Sequence, residues 1–202
     1  MKTLPKRLLF LTFLSLLILS LTALISCEDY LPVTGETDNG GTDPGGTNPG
    51  GTNPSSSLAS QLEWLKNNAL TGSSHVIVVT ANETIAPQNY LFNGRNITLT
   101  LKGDGVNRTI TLSSPDSMFI IRGNTTLILD SNITLRGISG NTRPVVLIEG
   151  NGTFIMNAGS TITSNGHYGV EVWSDFGRFT MNGGTISGNT SNVGAGLGWG
   201  YW

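Results

Sequence analysis

Cysteine occurs once in this chain, histidine twice, and charge is sparse: 12% of the 202 residues are Asp, Glu, Lys or Arg. A lone cysteine, Cys27, cannot close an internal disulfide. With no second cysteine beside them, His75 and His167 complete no metal-ligand spacing. There is no Gly-x-Ser-x-Gly nucleophile motif and no phosphate-binding loop. The formal charge is −2 with no basic stripe, which argues against a nucleic-acid partner. These absences give no reason to expect a cofactor or a metal. Glycine is plentiful, at 27 residues, together with Asn, Thr and Ser. That composition suits short strands joined by turns.

The strongest positive signal is a repeat. Residues 154 to 165, FIMNAGSTITSN, return as FTMNGGTISGN at 179 to 189. Phe154 and Phe179 are 25 apart, as are Met156 and Met181; Ile138, Ile162 and Ile186 are spaced by 24, and so are Asn141, Asn165 and Asn189. A period in this range marks a solenoid, in which each unit buries its apolar face against the next.

The first 26 residues read as a secretory signal: Lys2, Lys6 and Arg7, then an apolar run from Leu8 to Ile25. The run ends in Leu24-Ile25-Ser26-Cys27, which resembles the lipobox of bacterial lipoproteins. Ile25 and Ser26 are looser choices than the commonest Ala and Gly of that motif. The resemblance implies cleavage before Cys27 and acylation of its thiol, hence an exported protein anchored in the cell envelope, on the outer membrane or cell surface. Two or three acyl chains, at about 0.8 kcal/mol per buried CH₂, anchor a protein stably. Residues 27 to 57 form a tether with tandem Gly-Gly-Thr-Asp-Pro and Gly-Gly-Thr-Asn-Pro units. Such a segment has almost nothing apolar to bury. About 30 residues of Gly-rich coil span roughly 30 Å. Once Lys2, Lys6 and Arg7 leave with the signal, eight bases face thirteen acids; from Leu58 onward eight face eight. The folded part is therefore neutral.

Residues 58 to 72 hold one amphipathic helix, with Leu58, Leu62, Leu65 and Ala69 on a single face, Ser55 to Ser57 able to cap its start, and Gly72 just beyond its end. A helix in front of a strand array serves as a lid. From 73 to 202 the pattern is short strands of period two: 76–79, 97–101, 109–112, 118–121, 126–129, 133–135, 145–148, 153–156, 161–163, 170–173, 179–181 and 185–187. Grouped in threes, they make about four rungs, at 97–121, 126–148, 153–173 and 178 to about 198. Equivalent residues return after each circuit, so neighbouring strands run parallel and like stacks on like. The expected ladders are Phe154 on Phe179, Met156 on Met181, Ile138 on Ile162 on Ile186, and an amide ladder of Asn141, Asn165 and Asn189. Asp130 falls in line with Asn157 and Asn182 at a strand end. An antiparallel sandwich would not need same-residue spacing.

This organisation resembles the right-handed parallel β-helix, the pectate-lyase-like fold, and in particular bacterial surface lipoproteins carrying tandem Gly-Gly-Thr-Ile-Ser-Gly-Asn units. The residues that carry the resemblance are the helix, Leu101 to Gly105, Leu127 to Leu135 and Gly183 to Asn189. It covers about 58 to 202 and implies an all-β, three-strand-per-rung solenoid. Members of that group run for many rungs, whereas this sequence stops at Gly198-Trp199-Gly200-Tyr201-Trp202 without a following cap; the expectation is a solenoid cut short.

Chemistry is thinly marked. Glu149 plus 25 reaches Ser174, which places Asp175 near Glu149 one rung on. Such a pair is a weak candidate for Ca²⁺, which needs six to eight oxygens, or for acid–base work, and no third carboxylate accompanies it. Arg122, Arg136, Arg143 and Arg178 could face acids across a groove by residue type alone. Seven Asn-x-Ser/Thr sequons, at Asn82, Asn96, Asn107, Asn124, Asn132, Asn151 and Asn189, follow from strand and turn composition. Aromatics gather late, at Tyr168, Trp173, Phe176, Trp199, Tyr201 and Trp202. Exposed rings stack on sugars and anchor interfaces, so Tyr168, Trp173 and Trp199 are candidate ligand contacts; Trp173 and Trp199 also read as one repeated structural position. The expected function is non-catalytic display on a membrane anchor, with adhesion or binding of polysaccharide or a cell-surface protein. A polysaccharide lyase or hydrolase is the second expectation, and a gene fragment without function the third.

Overall fold

The computed structural model describes residues 56–191 and 196–199. The lipobox residues Leu24, Ile25, Ser26 and Cys27, most of the tether, and Tyr201 and Trp202 lie outside the described residues.

Helix α1 spans Leu58–Asn68, a turn shorter at its end than the sequence pattern. The Ser57 hydroxyl accepts from the Ser60 N–H at 3.2 Å and caps its start. Leu58, Gln61, Leu62 and Leu65 face inward, onto β1 (Ser74–Val79), β2 (Glu83–Ile85) and a 3-10 turn at Leu91–Gly94. Tertiary contacts complete both helix ends. The Glu83 carboxylate accepts from the Leu58 N–H at 2.9 Å, and the Arg95 guanidinium donates to the carbonyls of Ala69 and Lys66. Negative charge at the helix start and positive charge at its end both oppose the helix dipole.

The remaining strands are β3 (Thr98–Gly103), β4 (Arg108–Leu112), β5 (Phe119–Ile121), β6 (Thr126–Leu129), β7 (Ile133–Arg136), β8 (Val146–Ile148), β9 (Thr153–Met156), β10 (Ser160–Thr163), β11 (Val170–Val172), β12 (Arg178–Met181), β13 (Thr185–Ser187) and β14 (Leu197–Trp199). They build three sheets in the orders β1-β3-β6-β9-β12, β2-β4-β7-β10-β13 and β5-β8-β11-β14, and every pairing is parallel. The chain is an all-parallel β-solenoid of about five circuits with a helical lid, one circuit more than the rung count read from sequence. The additional circuit is the first: β1, β2 and an isolated bridge from Gln88 to Phe119 in place of a third strand. Glu-Thr-Ile at 83–85 is too short to show alternation, and Ala86-Pro87 follows it directly.

The interior is a set of columns. In the first sheet, the register stacks His75, Leu99, Leu127, Phe154 and Phe179, then Ile77, Leu101, Leu129, Met156 and Met181. Phe154 and Phe179 lie 5.6 Å apart with nearly parallel rings, and Met181 follows Met156 in register but is exposed. In the second sheet Glu83, Ile110, Leu135, Ile162 and Ile186 align. Ile162 therefore meets Ile186 as the spacing implies, but its other neighbour is Leu135 and not Ile138. The strand offset between those circuits is 27, because Ile138, Ser139 and Gly140 are inserted into the turn. Ile138 is half-buried beside the core. Two of these columns begin polar at the lid end, with His75 and Glu83, whereas the third begins with the buried Ile77.

Left-handed turn residues also recur by circuit. Between the third and first sheets they are Gly94, Gly123 and Gly150, with φ of 75°, 63° and 52°. A Cβ on Gly123 would stand 2.5 Å from the Gly94 carbonyl oxygen, so this corner needs glycine for space as well as conformation.

Candidate functional site

The circuits carry three arrays of asparagine, and their hydrogen bonding differs. The inner array is buried. The Asn141 side chain donates to Asn165 Oδ1 at 3.0 Å, the Asn165 N–H donates to Asn189 Oδ1 at 3.1 Å, and the Asn165 amide nitrogen donates to the carbonyls of Arg143 and Tyr168 at 2.8 and 3.0 Å. Asn141 and Asn165 thus join amide to amide, whereas Asn189 is reached through the Asn165 backbone N–H. The three stay aligned although the strands shift by 27, because the inserted loop ends at Asn141 and restores the alignment. The second array sits at the strand ends: Asn182 donates to Asn157 at 3.1 Å and Asn157 to Asp130 at 3.4 Å. Asp130 is thus a structural turn residue.

The third array was not read from sequence as an array. The first residues of the paired strands, Ser74, Thr98, Thr126, Thr153 and Arg178, are in register. Two positions before them stand Gly72, Asn96, Asn124, Asn151 and Phe176. All are exposed, and the three asparagine amides carry no hydrogen bond among the described residues. The available signal was the sequon itself: Asn96, Asn124 and Asn151 are all Asn-x-Thr at spacings of 28 and 27.

At the last two circuits this corner opens into a groove of about 560 Å³ walled by Asn124, Asn151, Thr153, Asp175, Phe176 and Arg178. Phe176 is 72% exposed. Asp175 and Arg178 place one charge of each sign beside it, without an ion pair among the described residues.

Of the sequence candidates, Asp175 and Arg178 line this groove and the others fall elsewhere. Register aligns Glu149 with Trp173, and Asp175 lies two residues further along the turn; Glu149 is half-buried and Asp175 exposed. No group of three His, Cys, Asp or Glu side chains able to hold a metal occurs among the described residues. Tyr168 is half-buried with its ring edge against His167 at 4.4 Å. Trp173 is half-buried beneath the Arg143 guanidinium at 5.8 Å. Trp199 pairs with Val172, so it is not the backbone equivalent of Trp173; its side chain is outside the description. Arg122 lies 3.7 Å over the Tyr90 ring and donates to Asn93 at 3.0 Å, which fixes it at the surface.

One juxtaposition was missed. Ser73 Oγ and His75 Nε2 are 2.7 Å apart, which is nucleophile–base distance. The hydroxyl proton, however, goes to the Leu70 carbonyl at 2.6 Å. The imidazole must then donate to Oγ and cannot deprotonate it. Burial lowers the His75 pKa from its ordinary value of 6.5, consistent with its place at the head of an apolar column. Asp104 and Arg108 form a bidentate pair at 2.7 and 2.8 Å that closes the turn at Gly105. The hydrogen bond from Arg108 lowers the Asp104 pKa, and the same bond raises that of Arg108.

Among the described residues no helix is long and apolar enough to cross a membrane. No protein-family model, curated protein or solved structure matches the chain.

Proposed function

We propose that this protein is an exported, lipid-anchored component of the bacterial cell envelope, displayed on the outer membrane or cell surface, which binds carbohydrate at the lateral groove without catalysing a reaction. The reading also places the solenoid with the right-handed, pectate-lyase-like helices of surface lipoproteins. Lipobox-like residues Leu24 to Cys27 and the Gly-rich tether support the anchor. The observation that carries the binding role is Phe176: a large aromatic ring left 72% exposed, walled by amides and a hydroxyl. Burying an aromatic face against the C–H face of a sugar while amides meet its hydroxyls uses both features. A protein partner would be the alternative occupant, but the unbonded amides favour a hydroxyl-rich ligand.

The test has two arms. Cys27→Ser should release the protein from membranes and abolish palmitate labelling; continued labelling would refute the anchor. Screening the protein against immobilised glycans should give binding that Phe176→Ala removes. Binding that is unchanged in Phe176→Ala would refute the groove as the site. Incubation with polyuronates should yield no unsaturated product, and any such product would refute the non-catalytic role.

A further inference from the structure

Resting on that reading, we infer that the groove, with the exposed column that continues it past Asn124 to Asn96, takes a linear, uncharged, β-linked hexose chain laid parallel to the solenoid axis, one sugar per circuit, over Phe176, Asn151, Asn124 and Asn96. The juxtaposition comes from the register. The strand starts stack from Thr98 through Thr126 and Thr153 to Arg178, so the residues two positions earlier stack as well. Successive circuits are about 4.8 Å apart. An extended β-1,4-linked hexose chain advances by close to that distance per sugar, so each successive ring falls opposite the column residue of the next circuit, with alternate rings presenting opposite hydroxyl edges to it.

The side chains suit the task. A carboxamide presents one acceptor and two donors, which matches a hydroxyl that both gives and takes a hydrogen bond. The inner amides at 141 and 165 and the edge amides at 157 and 182 are bonded within the protein. Those at 96, 124 and 151 are exposed and unbonded among the described residues. The left-handed glycines Gly94, Gly123 and Gly150 lie beside this column and add no side chain of their own.

Charge and the ends of the column set the ligand's class and length. Asp175 and Arg178 cancel, and Arg122 is committed to Tyr90 and Asn93. A polyanion therefore gains nothing from this face. At one end Phe176 offers a ring for stacking. At the other the column position is Gly72, which has no side chain, next to the end of α1. The site thus holds four sugars.

The experiment is calorimetric titration of the full-length protein in detergent micelles with linear β-1,4-glucose oligomers from dimer to hexamer. Affinity should rise about fivefold per sugar, the worth of one neutral hydrogen bond, through the tetramer and then level off. Asn96→Ala should weaken the tetramer by about fivefold and leave the dimer unchanged, while Phe176→Ala weakens every length. Oligogalacturonate of equal length should bind at least tenfold more weakly. Length-independent binding that is still lost in Phe176→Ala would overturn the axial arrangement and leave the groove reading standing. Tighter binding of the acidic oligomer would overturn the uncharged class. Absence of any glycan binding would overturn both readings. The variants alter exposed side chains without described partners, so their melting temperatures should match that of the parent, and a shift would expose a structural role.

Discussion

Replacing Asn165 with alanine should be the most damaging single change among the asparagines. Its side chain is 2% exposed and makes three well-formed hydrogen bonds: it accepts from Asn141 at 3.0 Å and donates to the Arg143 and Tyr168 carbonyls at 2.8 and 3.0 Å. Each bond contributes about 1 kcal/mol net, and buried partners left unsatisfied cost about 1–3 kcal/mol more, so the truncation should cost about 4–6 kcal/mol. A domain of this size is stable by about 5–15 kcal/mol, so the variant sits near the edge of folding. Asn157 provides the control. It also bonds along its array, but it is half-buried at a strand end where water can replace the lost partner. Asn157→Ala should cost about 1 kcal/mol or less. Equilibrium urea unfolding of both variants, with unchanged slope, gives the comparison. If the two cost the same within about 0.5 kcal/mol, the buried ladder does not hold the corner together and the reasoning fails.

Gly123→Ala must hold alanine at φ 63° with its Cβ 2.5 Å from the Gly94 oxygen, whereas Gly105→Ala, at φ 98°, meets nothing within 4 Å. Both bear a left-handed cost of about 1–2 kcal/mol, so in thermal melts Gly123→Ala should lose clearly more stability than Gly105→Ala. Equal losses would mean that the corner opens without resistance. For His75, burial depresses the folded pKa below 6.5, so its contribution to stability is fully present above about pH 6.5 and is lost as pH falls through the folded value. His75→Gln should flatten that part of the stability–pH profile; an unchanged slope would show that another group titrates there.

Much of the solenoid was legible because its strands are built from alternating residues whose buried members recur as Leu, Ile, Phe and Met. Phe154 on Phe179 and Met156 on Met181 needed only the period. The first circuit was not counted as a rung because only its strand at 76–79 shows alternation: Glu83–Ile85 is three residues long, and a single bridge at Gln88 stands in place of a third strand. Ile138 was misplaced for a related reason. Ile-Ser-Gly-Asn at 138–141 copies 186–189 in sequence, but a loop and a strand can share four residues, and only the backbone register separates them. The groove was partly visible as late aromatics. Phe176 was among them, yet its neighbours Asn124 and Asn151 looked like turn composition. A column of exposed residues has no apolar signature, so it emerges only once the circuits are aligned.

The three residues added at Ile138 to Gly140 have a practical meaning. They lengthen one corner without moving the strands on either side or the amide that follows. Strand register is kept there because Ile138 and Asn141 are both tied to the next circuit, which leaves Ser139 and Gly140 as the free part of the loop. Ser139 and Gly140 are exposed. The entropic cost of a longer loop grows only with the logarithm of its length. That corner is therefore where foreign sequence can be grafted, and where related chains can diverge in length, while the stacked core keeps its alignment.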